Sequence, residues 1–243
     1  MQIRSSEKEF LDLGFPHYSH EEYEDCLYKL DRIGRWLGGD RATWSALEKL
    51  EEPPQSILDV GCGGGLFTIR MAKRYPHSTV LGIDTNAEAI AFANKQLQQM
   101  VEPPSNVSFQ ICAQEHLEKN LNFDVVTSTL VCHHLTDTYL VEFLQQAHQV
   151  ARKKVIINDL HRHSLAVFLF KIVAPICFPN RLIKHDGAVS IRRAFIYDDW
   201  QQYLKMAGFE FSRCSVSWRW AFRWMIEINK SEIFDSTEKS AFN

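Results

Sequence analysis

The chain has 243 residues, 45% hydrophobic and 23% charged, the make-up of an ordinary soluble globular protein and long enough for one large α/β domain with a full core. A net charge of -3 gives no global field toward nucleic acid or anionic lipid, so no nucleic-acid partner is expected and membrane contact is at most peripheral. Six cysteines (Cys26, Cys62, Cys112, Cys132, Cys177, Cys214) lack the spacing of a zinc clamp or redox pair and predict reduced thiols in a cytoplasmic protein; Met1 to Glu7 has no apolar stretch and predicts no secretory leader.

In chain order, Ser19 and Glu22 form a capping-box pattern, and Tyr23, Leu27, Leu30 and Ile33 mark one face of a helix running to Trp36. Gly38-Gly39 ends it, and Asp40 is placed to cap a second helix that Pro53-Pro54 stops. Residues 1–54 thus read as a helical cover, with Arg32 and Arg35 as possible contacts. Ile57 to Val60 is then a buried strand carrying Asp59, followed by Gly61, Gly63 and Gly65 in a turn and a helix over 66–75. Such a turn lets a ligand approach backbone closely, and the helix start favours negative or strongly polar groups.

Val80 to Asp84 is a second apolar strand ending in a carboxylate, and Ala87 to Met100 a helix. Strands follow at 107–112, 123–128 and 155–159, with a helix over 136–151 after the fourth. Strands alternating with helices imply right-handed crossovers, a parallel sheet with helices on both faces, and a ligand at the carboxyl ends of the strands. Asp59, Asp84, Ala113, Ser128, His133 and Asp159 fall on that edge. Residues 160–197 read as an insert containing the apolar run 165–178, too short for a membrane span at roughly 20 residues. Asp198 starts a last helix, and 209–216 with 220–228 form a terminal hairpin, before a polar tail at 230–243.

The acid-x-Gly-x-Gly-x-Gly pattern at Asp59, Gly61, Gly63 and Gly65 resembles the first motif of class I S-adenosylmethionine-dependent methyltransferases. A nicotinamide-binding oxidoreductase is disfavoured because Leu66 stands where the dinucleotide fingerprint wants its third glycine; a non-catalytic nucleoside-binding module is the other alternative. The resemblance spans about residues 55–229. It implies a Rossmann-like, doubly wound, mostly parallel sheet with a C-terminal antiparallel hairpin edge, and S-adenosyl-L-methionine as cofactor. It assigns cofactor binding to Asp59, Gly61, Cys62, Gly63, Gly65, Asp84 (ribose hydroxyls), Thr85, Ala113, Gln114 and Ser128. Many members carry an Asp for the adenine amino group where this chain has Cys112-Ala113-Gln114, which leaves that contact to Gln114 or to backbone.

The expected reaction is methyl transfer to oxygen or carbon of a small lipophilic acceptor, a phenol, polyketide-like ring or quinol. Such an acceptor needs its proton removed, a task suited to histidine. His133 and His134 follow the fourth strand, and relatives tend to keep the second, which suggests that His133 faces the acceptor and His134 supports the loop. Members of the family place acceptor-specific inserts at 160–197, so Phe168, Ile172, His185 and Arg192 are the expected acceptor contacts. His133, His161 and His185 could converge, but no ligand spacing supports a metal, and none is expected. Nothing in the sequence specifies an oligomeric state.

Overall fold

A computed structural model describes residues 3–112 and 121–230. Seven strands form one sheet in the order β3-β2-β1-β4-β5-β7-β6. β1 (Ser56–Val60), β2 (Thr79–Asp84), β3 (Val107–Ile111), β4 (Phe123–Thr129) and β5 (Ala151–Leu160) are parallel. β7 (Arg223–Asn229) runs antiparallel to β5, and β6 (Cys214–Arg219) antiparallel to β7. The expected doubly wound sheet and hairpin edge are therefore present. Strand order reverses at β1 and β4, which leaves a crevice beyond their carboxyl ends.

Alternate strand residues feed two cores, because side chains on a strand point to opposite faces. Ile57, Val80, Val125 and Ile156 pack with Ala42, Ala46 and Leu47 of α3 (Gly39–Leu47) and Met71 of α4 (Leu66–Arg74). Leu58, Val60, Val126 and Ile157 pack on the other face with α6 (Asp137–Val150) and α9 (Tyr197–Met206). β7 lies between two strands, so Arg223 to Ile228 are all buried. Trp220 to Phe222, expected to begin this strand, form the turn before it, and Trp220 is exposed.

The N-terminal helices are woven into this fold. α2 (His20–Trp36) starts with the predicted capping box, in which Ser19 Oγ accepts from Glu22 N and Glu22 accepts from Ser19 N. Its Tyr23, Cys26 and Leu27 share a core with Phe92 of α5 (Ala87–Gln98) and with Leu182 and Ile183 of α8 (Arg181–Arg193). Asp40 does not cap α3: Gly38, with φ of 74°, holds the cap position, and Asp40 bonds Arg70 instead. A short helix, α1 (Phe10–Leu13), precedes α2. The insert is two helices, α7 (Ser164–Cys177) and α8. Gly187 obscured α8 in the sequence, yet a Cβ there would lie 2.2 Å from the Phe170 ring, so glycine is the residue that lets α7 and α8 approach.

Candidate active site

A cleft of about 360 Å³ opens beyond the carboxyl ends of β1, β2 and β4. One wall is the turn after β1. Gly61 N and Cys62 N both donate to Ile83 O, at 2.8 and 3.0 Å, which ties the turn to β2. Gly63 has φ of 53°, and a Cβ there would meet nothing within 4 Å; Gly65 has φ of 69°, and its Cβ would sit 2.6 Å from the Phe109 ring. Gly65 is therefore required by packing, whereas Gly63 presents bare backbone to the cleft.

Both acids of the motif line this cleft. Asp59 accepts from Thr68 Oγ1 at 2.6 Å and Thr127 Oγ1 at 2.9 Å, which joins β1, α4 and β4. Burial pushes its carboxyl up to about 6 despite those bonds. Asp84 accepts from Gly63 N at 2.8 Å and Asn86 N at 2.9 Å. Burial raises its pKa too. With backbone donors at Gly63, Thr85 and Asn86, the Asp84 carboxylate still keeps acceptor capacity for a ligand hydroxyl. Thr85 and Cys62 also line the cleft, and burial pushes the Cys62 thiol up, leaving it a neutral wall group rather than a nucleophile.

Strand alternation corrects one assignment. Ser128 is buried and absent from the cleft, whereas Thr129 lines it with an Oγ1 that has no hydrogen-bond partner. Ala113 and Gln114 lie outside the described residues.

The histidines exchange their expected places. His133 is 2% exposed and does not reach the cleft; its Nδ1 lies 2.6 Å from Asp159 Oδ1, and its backbone N donates to Asp159 Oδ2. Burial pushes the Asp159 carboxyl up, but the His133 contacts outweigh it and hold the group below the usual carboxylate range. His134 is the ring on the cleft wall, with Nδ1 2.6 Å from Asp12 Oδ1. A carboxylate only accepts, so Nδ1 carries a proton, and in the neutral form of the ring the lone pair is on Nε2. That Nε2 lies 3.8 Å from Glu9 Oε2, beyond hydrogen-bond reach.

Asp12 and Glu9 were not legible as site residues. Burial raises Asp12, but His134 and Arg193 more than offset this and leave its carboxyl well below its ordinary value. Burial pushes Glu9 up to about 7. Glu9, His133 and His134 bring ligand-type atoms within 4.8 Å of one another, a convergence that sequence spacing did not reveal. Arg193 Nη1 lies 3.3 Å from Glu9 Oε1 and also bonds Asp12.

The insert does not form the cleft wall it was expected to form. Phe168 is 60% exposed and Ile172 49% exposed, on the outer side of α7. The run is apolar on every face, so its sequence could not say which side packs; Ala166, Phe170 and Ala174 turn inward. His185 bonds Asp186 and stacks on Phe10, and Arg192 pairs with Glu7, so both fasten the N-terminal segment instead of lining the cleft. Arg32 stacks over Trp36 and Arg35 pairs with Asp31. From α2 and α3, Tyr23, Leu27, Leu30, Asp31, Gly34, Gly39, Asp40 and Thr43 reach the cleft. Among the described residues, no helix is long and apolar enough to cross a membrane.

This sheet order, with a glycine turn after β1 and an acid at the end of β2, defines a Rossmann-like α/β fold with an open crevice beyond the carboxyl ends of its strands. Residues 52–205 match a family described as methyltransferase domain. The chain belongs to the class I S-adenosylmethionine-dependent methyltransferase family. Among curated relatives it is 34% identical over 143 residues to a ubiquinone biosynthesis O-methyltransferase of Pseudomonas syringae pv. tomato, covering 57% of this chain and 59% of that protein. The matched stretches span between 16% and 59% of the length of the first curated relatives. In fold it resembles the plantazolicin methyltransferase BpumL in complex with a pentazolic desmethylPZN analog and SAH, with a TM-score of 0.66, 15% identity, and 87% and 90% of the two chains covered. It also resembles magnesium protoporphyrin IX methyltransferase of Synechocystis PCC 6803 with bound SAH, at a TM-score of 0.53, 18% identity and 90% and 88% coverage.

Proposed function

We propose that this protein methylates an oxygen or carbon of a small, largely apolar acceptor, a phenol, polyketide-like ring or quinol, using S-adenosylmethionine. The observation that carries this reading is that the glycine turn and the His134–Asp12 pair open on the same cleft. The residues present fit the cofactor. Gly63 offers bare backbone, Asp84 keeps acceptor capacity for a ribose hydroxyl, and Thr129 Oγ1 has no protein partner. When bound, S-adenosylmethionine supplies an electrophilic methyl group on a sulfonium.

The protein's own part is to position, exclude water and move one proton. Leu11, Leu27, Leu30, Leu130 and Val131 make the cleft walls apolar, which suits an aromatic acceptor. His134 Nε2 takes the acceptor's hydroxyl or activated C–H proton, and Asp12 holds the ring and stabilises the imidazolium that forms. His133, sealed against Asp159, fixes the turn that carries His134. The similarity to ubiquinone biosynthesis O-methyltransferases favours a hydroxylated ring. Incubation with methyl-labelled S-adenosylmethionine and a panel of phenols, hydroquinones and resorcinols should give label in an ether or ring methyl product. A panel with no labelled product, from protein that binds the cofactor, would favour the binding-module reading.

A further inference from the structure

Arg223 opens β7 at the carboxyl end of β5, paired in register with Leu160. It lines the cleft but is 2% exposed. Its environment holds the guanidinium without neutralising it. Nη1 makes one long bond, 3.4 Å, to Asn158 Oδ1, and Nε has no partner. Asn158 is itself fixed, its Nδ2 donating to Gly39 O and Thr43 Oγ1. At Gly39 any Cβ would lie 3.0 Å from Arg223 Cζ and Nη2, so glycine is what leaves room for the group.

The nearby acids are engaged elsewhere. Asp40 bonds Arg70, and Asp159 holds His133 and Leu160 N; both act on Arg223 only as charges at longer range. Arg70, the other arginine on the cleft, is neutralised by Asp31 and Asp40. A buried guanidinium without a bonded anion is costly, and breaking such a pair is among the more destabilising changes a fold can suffer. The missing anion has a place to come from, since the cleft is open to ligand on this side. The cleft also carries Asp12, Asp31, Asp59 and Asp84 on its walls, which disfavour a ligand carboxylate beside them, so the un-neutralised guanidinium of Arg223 is the side chain best placed to receive one.

We propose that Arg223 is the carboxylate anchor of the cleft, its planar edge pairing with a carboxylate of the bound ligand. This rests on the methyltransferase reading, in which two ligands could bring that group: the cofactor through its amino-acid end, or an acceptor that is an aromatic acid. Arginine suits the task because its fork of donors matches a carboxylate in two-point geometry.

Titration calorimetry on wild type, Arg223→Met and Arg223→Lys separates the sources. The probes are S-adenosylmethionine, decarboxylated S-adenosylmethionine, and 4-hydroxybenzoate added to protein saturated with S-adenosylhomocysteine. If the cofactor supplies the carboxylate, wild type binds S-adenosylmethionine about tenfold to a hundredfold tighter than the decarboxylated compound, and Arg223→Met erases that difference while Arg223→Lys keeps part of it. If the acceptor supplies it, the two cofactor forms bind wild type alike, and 4-hydroxybenzoate binds wild type but not Arg223→Met. Equal binding of both cofactor forms to wild type, with no binding of 4-hydroxybenzoate, overturns the proposal even if Arg223→Met fails to fold, because that comparison needs no variant. A folded Arg223→Met that binds all three probes like wild type also overturns it. Failure of wild type to bind either cofactor form would sink the methyltransferase reading itself.

Discussion

The proposed cofactor wall of the cleft comes mainly from one stretch, Asp59 to Asn86, whereas the proposed acceptor wall sets Asp12 of the N-terminal segment against His134 of the turn after β4, with Glu9, His133 and Arg193 packed behind the pair. The first wall is set by backbone conformation, with left-handed glycines and amides that bond Asp84 and Ile83. The second is set by long-range ion pairs among buried groups. A wall made locally keeps its shape when distant parts of the chain change. A wall made by convergence depends on every segment that reaches it, and this is the wall on which specificity is expected to vary.

The largest effect should fall on the acceptor wall without touching the other. His134→Ala is expected to lower kcat by about 10²–10⁴-fold with cofactor affinity retained. His133→Ala should instead lower the melting temperature, because it leaves buried Asp159 without its partner. A greater loss of kcat in folded His133→Ala than in His134→Ala would restore the roles expected from sequence. On the cofactor wall, Asp84→Ala should weaken S-adenosylmethionine binding by roughly tenfold or more, since hydrogen bonds to a charged group are worth about 1.5–3 kcal/mol each. Calorimetry reading an unchanged affinity would remove Asp84 from the ribose site.

A smaller effect concerns pH. Burial raises Glu9 from the ordinary 4.5 to about 7, so the folded state holds its proton more tightly than the unfolded chain does. That stabilisation is complete below the ordinary glutamate pKa and is lost as pH rises through about 7. Thermal melts of wild type minus Glu9→Gln should therefore fall between pH 4.5 and 7; a flat difference would mean that Glu9 is not held neutral by burial. The smallest effect is expected at Phe168→Ser, which should leave both cofactor affinity and acceptor KM near wild type, since the ring faces outward from α7. A raised acceptor KM would return α7 to the pocket.

The sheet and the glycine turn after β1 were legible because their signals are local. The run from Ile57 to Gly65 contains a strand, its terminal acid and the turn in consecutive residues, and the capping box at Ser19 likewise reads from four positions. The acceptor wall was not legible, because nothing near Asp12 in sequence announces His134, 122 positions away. Choosing between His133 and His134 needed the direction of a short 3₁₀ turn, which residue identity does not encode. Ser128 was expected at the cleft and Thr129 lines it instead for a related reason: one residue's step along a strand changes the face. The insert misled because Leu165 to Cys177 lacks the polar face that would have shown which side packs.

The N-terminal segment is fastened across the acceptor wall chiefly by polar bonds. Arg4 reaches Asp137, Tyr203 and the carbonyls of His133, Leu135 and Arg193, and Asp186 accepts from the amides of Phe10 and Leu11. No residue of α1 is fully buried. Held this way, the segment should open as a cooperative unit of its own, far below the free energy needed to unfold the sheet. Native-state hydrogen exchange should show the Phe10 and Leu11 amides exchanging together, faster in high salt and much earlier than Val126 or Ile157. Each opening would strip Asp12 from His134 while leaving the glycine turn intact, so the protein would pass through a state able to hold its cofactor but without its base in position.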